Sequence, residues 1–147
     1  MNDTNTFSRV ARSANRLYGP RALLVCGFTP EGQSAILERI EAAGIATLSV
    51  VFAATDDLET GLNELFALES GTGRDKPSRM PAAVIMAGIS EAELHKFMES
   101  YRSAGMPWPL WATLTPTSEA WTLRALLKEL AAERTALAAT KSSPGQD

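Results

Sequence analysis

The strongest constraint on the fold is the alternation of two kinds of apolar pattern along the chain. Apolar runs occur at 21–28 and 82–89, and largely apolar segments at 45–54 and 108–115; such runs are typical of strands buried on both faces. Between and after these runs, apolar residues recur every three or four positions, which is typical of helices that pack through one face. The predicted order of elements is therefore strand, helix, strand, helix, repeated once.

Capping residues predict where the helices after the first and third strands begin and end. Thr29 and Ser90 come directly after those strands, and a side-chain oxygen at this position accepts a hydrogen bond from the first helical turn. Gly44 and Gly105 follow the last apolar residues of the same helices, where a glycine commonly ends a helix.

The other two helices have less distinct starts. Thr55 or Asp56 is predicted to cap the helix after the second strand, and Thr117 or Ser118 the last helix. Leucines at helical spacing follow in both cases.

The two halves of the chain align without a gap when they are offset by 61 residues. Residues 22–68 and 83–129 share seven identities in this alignment, and their caps, apolar stripes and closing glycines coincide. This agreement favours an internal duplication. The alternative is that any two βαβα units share such capping and turn residues.

The chain is expected to form one domain at 21–139, because neither half alone could bury a sheet covered on both faces. The segment 69–81 is rich in Gly, Ser and Pro and is predicted to be an exposed loop between the halves. Residues 1–20 are expected to be a basic lead-in, or alternatively an arm for a membrane or RNA, and 140–147 a flexible tail.

Two βαβα units in succession predict an α/β fold with three layers, α/β/α. Right-handed connections favour a four-stranded, mainly parallel sheet with strand order 2-1-3-4. A two-fold axis along the strands would relate the halves, and a crevice would form where the first and third strands end side by side. The candidate residues for ligand or partner binding in this crevice are Gly27, Phe28, Thr29, Gly88, Ile89, Ser90, Thr115, Thr117 and Trp121.

Composition excludes several classes of function. The 147 residues include 14 Lys and Arg and 17 Asp and Glu, and the net charge of −3 argues against a nucleic-acid partner. A single cysteine, Cys26, and a single histidine, His95, argue against a disulfide framework and a multi-histidine metal site. The polar first residues predict no signal peptide, and the lack of a long apolar run predicts no membrane association. The single free cysteine is typical of a cytoplasmic protein.

No cofactor or metal is predicted. Every predicted helix start carries acidic residues, which stabilise the helix dipole and would repel a phosphate group. Segment 27–32 fits neither nucleotide-binding glycine motif, and 71–73 (Gly-Thr-Gly) follows a helix rather than a strand. Glu31, Asp56 and Asp57 could hold Mg²⁺, but helix capping explains the same acids.

No catalytic residue is predicted either. Cys26 lies within a buried strand, and His95 lies beside the apolar stripe of its helix rather than on it. A small enzyme is kept as an alternative. It would use the following hydroxyl and carboxylate residues at the edge of the sheet: Thr29, Ser90, Asp56 and Thr117.

Three tryptophans lie close together near the last strand. Trp108, between Pro107 and Pro109, is predicted to be an exposed residue at an interface. Trp111 is predicted to lie in the core, and Trp121 to lock the corner between the last strand and the last helix.

The second half combines a strand-to-helix step with a T-P-T segment and a following tryptophan. The residues concerned are 88–91, Phe97, Arg102, Gly105, 114–118, 121–123 and 126–127. In these residues, over roughly 82–130, the chain resembles the bacterial family called domain of unknown function 3783. Ile89 stands where the family has Phe, while Phe28 supplies that residue in a degenerate first copy. The resemblance implies an α/β fold and a bacterial origin, and it implies no activity, cofactor or catalytic residue.

These observations predict a non-enzymatic accessory or regulatory module that binds an unknown protein partner or a small molecule. Beside the enzyme alternative, a homo-oligomeric scaffold is considered. It would form a homodimer through its edge strand and Trp108.

Overall fold

The computed structural model describes residues 15–141, which form a four-stranded sheet with helices on both faces. The strands are β1 Ala22–Cys26, β2 Ser49–Ala53, β3 Ala83–Ala87 and β4 Leu110–Thr113. The helices are α1 Pro30–Ala42, α2 Leu62–Leu65, α3 Glu91–Ser103 and α4 Leu123–Lys141. Short 3₁₀ turns at Thr55–Asp57 and Ser118–Ala120 precede α2 and α4. The parts of the predicted lead-in and tail at 1–14 and 142–147 lie outside the described residues.

The strand order is β2-β1-β3-β4, as predicted. β1 pairs in parallel with β2, and β3 pairs in parallel with β4, whereas the central pair of β1 and β3 is antiparallel. Helices α1 and α3 cover one face of the sheet, and α2 and α4 cover the other. The predicted α/β fold with a mainly parallel sheet is therefore confirmed.

Side-chain caps start the two long helices that follow β1 and β3. The Thr29 hydroxyl oxygen accepts a hydrogen bond from the Gly32 N–H at 3.1 Å. The Ser90 hydroxyl oxygen accepts from the Glu93 N–H at 3.1 Å, and the Glu93 carboxylate accepts from the Ser90 N–H at 2.9 Å. Both predicted caps are confirmed, and they supply acceptors for N–H groups of the first helical turn, which have no carbonyl partner within the helix.

The other two helices begin later than their sequences predict. The Asp57 carboxylate accepts a hydrogen bond from the Ala54 N–H at 2.8 Å and closes a 3₁₀ turn, and α2 begins only at Leu62. Ser118 and Thr115 close a second 3₁₀ turn, and α4 begins at Leu123. These two helix starts were predicted wrongly, because short polar side chains bonded to the local backbone compete with helix formation.

Equivalent elements of the two halves begin 61 residues apart, namely β1 and β3, α1 and α3, β2 and β4, and α2 and α4. Leu24 pairs directly with Ile85, and Gly61 forms an isolated bridge with Thr122, so residues 61 positions apart meet twice. An approximate two-fold axis perpendicular to the sheet passes between the partners of both pairs. The predicted axis along the strands is wrong, because it would require a parallel central pair; the duplication itself stays a prediction.

The connecting segment 69–81 sets the direction of β3. It runs along the outer edge of β2 and then returns to the carboxyl end of β1, where the Gly27 N–H donates to the Ser78 hydroxyl at 2.8 Å. β3 therefore begins beside Cys26, which pairs with Ala83, and runs opposite to β1.

Candidate functional site

The predicted crevice between the carboxyl ends of β1 and β3 does not form. Cys26, the last residue of β1, pairs with Ala83, the first residue of β3. Segments 27–29 and 88–90 therefore lie at opposite ends of the sheet. This prediction was wrong because it assumed a parallel central pair.

Gly27, Phe28 and Thr29 line a cavity of about 350 Å³ at the carboxyl end of β1. Gly27 has a φ of 73°, and a Cβ at this position would lie 2.4 Å from the carbonyl oxygen of Met80. Thr29 caps α1. A close backbone crossing and a helix cap thus account for Gly27 and Thr29, and their role in binding stays a prediction.

Gly88, Ile89 and Ser90 lie at the carboxyl end of β3. Ile89 is fully buried, so its side chain belongs to the core rather than to a surface. Gly88 has a φ of 68°, and a Cβ there would lie 2.5 Å from the backbone nitrogen of Arg21. A cavity of about 550 Å³ at this end is lined by Arg16, Arg21, Ala46, Thr47, Ser90 and Glu93.

An ion pair occupies one wall of this second cavity. Arg21 donates to both carboxylate oxygens of Glu93, at 2.7 and 2.6 Å, and also to the carbonyl oxygen of Ala46 at 2.8 Å. The Arg21 guanidinium, together with the N–H of Ser90, lowers the pKa of Glu93 to about 2. Because the two charges are satisfied by each other, the pair holds the start of β1 against the start of α3.

Thr115, Thr117 and Trp121 lie beyond the carboxyl end of β4, at the same end of the sheet as 88–90, since β3 and β4 are parallel. Thr117 is exposed. Trp121 is half-buried, and its carbonyl oxygen accepts a hydrogen bond from the Leu62 N–H at 2.9 Å. Trp121 therefore joins the chain ahead of α4 to the start of α2.

The described residues hold no candidate metal-binding group, and they do not bring Cys26 and His95 together. Among them there is no group of three His, Cys, Asp or Glu side chains that could bind a metal ion. Cys26 packs on the face covered by α2 and α4, and burial raises the pKa of its thiol. His95 is exposed on α3, which covers the opposite face, so the two residues do not form a pair. Within 15–141, no helix is both long and apolar enough to cross a membrane.

A groove of about 420 Å³ lies between α4 and the chain leading into β3. It is lined by residues that include Leu127, Arg79, Arg124 and Lys128. Arg124 is paired with Glu59. Binding of a small molecule stays a prediction.

Four aromatic side chains from α3 and the region of β4 form an aromatic cluster, namely Phe97, Tyr101, Trp108 and Trp111. Neighbouring ring centroids are 5.2–6.4 Å apart. The Tyr101 hydroxyl donates to the carbonyl oxygen of Pro107 at 2.8 Å and holds the chain ahead of Trp108. Trp108 is 42% exposed, as predicted, and the Arg102 guanidinium carbon lies 5.3 Å from its ring centroid.

The connecting segment 69–81 covers the outer edge of β2. Val50 and Phe52 direct their backbone N–H groups away from β1, because the alternate residues of β2 pair with β1. The Val50 N–H donates to the Ser70 hydroxyl at 2.9 Å, and the Phe52 N–H donates to the Thr72 carbonyl oxygen at 2.8 Å. Both outward N–H groups of β2 are thus satisfied within the chain.

Two glycines shape this cover. Gly73 has a φ of 83°, and a Cβ there would lie only 1.8 Å from the carbonyl oxygen of Phe52. Gly71 has a φ of 94°, and a Cβ there would meet nothing within 4 Å. The Gly71 N–H donates to the Val50 carbonyl oxygen at 2.7 Å. The close approach of the segment to β2 therefore depends on Gly73.

The outer edge of β4 is open in the described part of the chain. Leu110 and Leu114 donate their N–H groups towards the β3 side, each at 2.9 Å, so the residues between them alternate in direction. Trp111 and Thr113 therefore direct their N–H and C=O groups outward. None of these four groups, here called the open edge, has a partner among residues 15–141.

Side chains close both ends of the open edge. Arg134 donates through Nη2 to the carbonyl oxygen of Pro109 at 3.0 Å. Thr115 donates its N–H to the Ser118 hydroxyl at 3.0 Å. By the same alternation these backbone groups also face outward, so in the described part of the chain only the two outward residues of β4 have backbone groups without partners.

The fold thus defines a class of α/β domain whose sheet has one covered edge and one open edge. Residues 82–137 match the model of the family described as Domain of unknown function (DUF3783), which confirms the resemblance seen in the sequence. The matched segment runs from the residue before β3 into α4 and contains the whole open edge. No curated protein and no solved structure matches the chain.

Sequence reasoning missed both the cover on β2 and the open edge of β4. The cover left one signal, the two glycines at 71 and 73, which fit no phosphate motif. The open edge left none, because β4 has the same apolar character as the other strands, and its exposure depends on where the following chain goes.

Proposed function

We propose that this protein is a non-catalytic module that binds another protein by extending its sheet at the open edge. The observation that carries the proposal is the set of four backbone groups on Trp111 and Thr113 that have no partner among residues 15–141. An edge strand of this kind is a template for a strand from a second chain, which gains backbone hydrogen bonds on pairing.

The residues next to the open edge support a role in protein binding. Trp108 is exposed and backed by the aromatic cluster, and Arg102 lies against its ring. Tryptophan and arginine are enriched among the residues that dominate binding energy at protein interfaces. Trp108 would contribute affinity for a partner, and the neighbouring backbone groups of the open edge would fix the orientation of the partner's strand.

The character of β4 also supports the proposal. Proteins usually protect an edge strand with charged residues, a covering segment or a bulge. β4 has the sequence Leu-Trp-Ala-Thr and contains no charge, while the same sheet covers its other edge with 69–81. The family match includes β4 and excludes β2.

A photo-crosslinking amino acid at position 108 tests this function in cells that naturally produce the protein. Trp108 is replaced by benzoylphenylalanine, with the same replacement at Leu68 as the control, since their exposures of 42% and 39% are similar. We expect a discrete protein adduct from position 108 and none from position 68.

The adduct should also depend on the open edge. Thr113→Pro removes an outward N–H and adds a ring there, so the adduct from position 108 should be lost. No adduct at position 108, or an adduct that survives Thr113→Pro, would mean that β4 does not bind a protein.

A further inference from the structure

We infer that the occupant of the open edge is a second copy of this chain, whose β4 pairs antiparallel with the first about a two-fold axis at Ala112. The inference rests on the proposed function, since it takes the open edge as the binding surface. It adds the identity of the partner and the register of the pairing.

The backbone groups of the edge complement themselves in this register. With the axis at Ala112, Trp111 lies opposite the partner's Thr113, and Thr113 lies opposite the partner's Trp111. Directly opposed residues whose backbones face each other exchange both N–H···O=C bonds, so four hydrogen bonds form. All four open groups are then used.

The closed ends of the edge fit the same register. Pro109 would lie opposite the partner's Thr115. In each chain the carbonyl oxygen of Pro109 already accepts from Arg134, and the N–H of Thr115 already donates to Ser118. No existing bond has to break, and no group is left over.

Neighbouring registers are worse for an identifiable reason. An axis at Trp111 would place Thr113 opposite the partner's Pro109, which has no N–H to donate and whose carbonyl oxygen is occupied by Arg134. An axis at Thr113 would place Trp111 opposite the partner's Thr115, whose N–H is occupied by Ser118. Either choice leaves backbone groups of the open edge without a partner, so the structure favours Ala112 as the centre.

Charge also favours a second copy. The segment 109–118 contains no charged residue, so two copies can approach without repulsion between like charges along the strands. A cation, Arg134, lies at the Pro109 end, and an acid, Glu119, follows the Thr115 end. The two-fold axis brings the basic end of each edge to the acidic end of the other.

The exposed residues that flank β4 lie at matching distances from this axis. Trp108 precedes Ala112 by four residues, and Pro116 follows it by four. Both are exposed. Pairing at Ala112 therefore sets Trp108 beside the exposed T-P-T segment of the other copy, and aromatic residues are frequent docking surfaces for proline.

A register-specific disulfide tests the proposal on the full-length chain. In an antiparallel pair centred at Ala112, the two Ala112 Cα atoms would be about 4.5 Å apart, within the range of a disulfide. Two copies of position 113 would be diagonal and more than about 7 Å apart, beyond that range. We therefore expect Ala112→Cys to form a covalent dimer under mild oxidation, and Thr113→Cys to remain monomeric.

Light scattering provides the second measurement. The unmodified protein should show twice the monomer mass at micromolar concentration, and Thr113→Pro should show the monomer mass with an unchanged circular dichroism spectrum. A monomeric wild-type protein whose Ala112→Cys variant fails to cross-link overturns the inference. Equal cross-linking of both cysteine variants would also overturn it, since the register would then be wrong.

The two proposals fail in different ways. If the wild type is monomeric and position 108 still captures a different protein in a Thr113-dependent manner, the second copy is wrong and the binding function stands. If position 108 captures nothing and no dimer forms, both proposals are wrong.

Discussion

The two edges of the sheet are built from corresponding positions but have different outer neighbours. Val50 and Phe52 of β2 lie 61 residues before Trp111 and Thr113 of β4, and all four direct their backbone groups outward. On β2 these N–H groups are bound by the segment 69–81, whereas on β4 they are unsatisfied within the described chain.

This difference originates in the chain that follows each outer strand. α2 ends after one turn, and the chain then turns back along β2. α4 continues for 19 residues, and within residues 15–141 the outer side of β4 stays uncovered. The availability of an edge is thus decided by the path of the next connection, although both strands are largely apolar.

Among substitutions that test this difference between the edges, Gly73→Ala is expected to change the free energy of unfolding most. An alanine would place its Cβ 1.8 Å from the Phe52 carbonyl oxygen, so the segment 69–81 would have to move off β2. With the positive φ, the expected loss in the free energy of unfolding is about 3–4 kcal/mol. Urea denaturation followed by circular dichroism measures it.

Gly71→Ala is the matched control for this prediction. Gly71 also has a positive φ, but nothing lies within 4 Å of the added Cβ, so the loss should be only about 1–2 kcal/mol. Equal losses for the two variants would contradict a tight cover on β2.

A smaller effect on the free energy of unfolding is expected at the ion pair beside the start of β1, which is one of the two central strands. Glu93→Gln keeps an oxygen to accept from the Ser90 N–H and removes the charge paired with Arg21. The pair is partly solvent-exposed, so we expect a loss of about 1–2 kcal/mol in the free energy of unfolding at neutral pH.

The effect of Glu93→Gln should depend on pH in a defined direction. The pKa of Glu93 is lowered to about 2 in the folded protein, against about 4.3 for an ordinary glutamate. Its contribution is therefore complete above the ordinary pKa and disappears as the pH falls towards 2. Urea curves of both proteins over this range measure the difference, and a gap that stays constant in acid would rule out the ion pair as its source.

The smallest effect is expected from Thr113→Pro on the unfolding of the monomer. The Thr113 N–H has no partner within the described chain, so its removal should change the free energy of unfolding by less than about 0.5 kcal/mol. Ala112→Pro is the control, because the backbone of Ala112 faces β3 and its loss should cost about 3 kcal/mol. Dilute protein measured by thermal unfolding should show this contrast, and a large loss for Thr113→Pro would mean that the edge is bound within the chain.

Local features of this fold could be read from the sequence because neighbouring residues determine them. Thr29 and Ser90 cap their helices as predicted, since the cap bonds to N–H groups only three residues away. The exposure of Trp108 between two prolines was likewise predictable. The candidate site was predicted less well, because the residues at 27–29 and 88–90 were expected in one crevice and lie at opposite ends of the sheet.

By itself, the sequence determined the order of the strands and helices, because apolar periodicity distinguishes them, and the rules for connections favoured the strand order 2-1-3-4. Only the tertiary structure decided that β3 runs opposite to β1 and that β4 has the open edge. Both outcomes depend on contacts between residues far apart in the chain, such as Gly27 with Ser78 and Phe52 with Thr72. Those contacts place the segment 69–81, and no local pattern of residues encodes where a connecting segment packs.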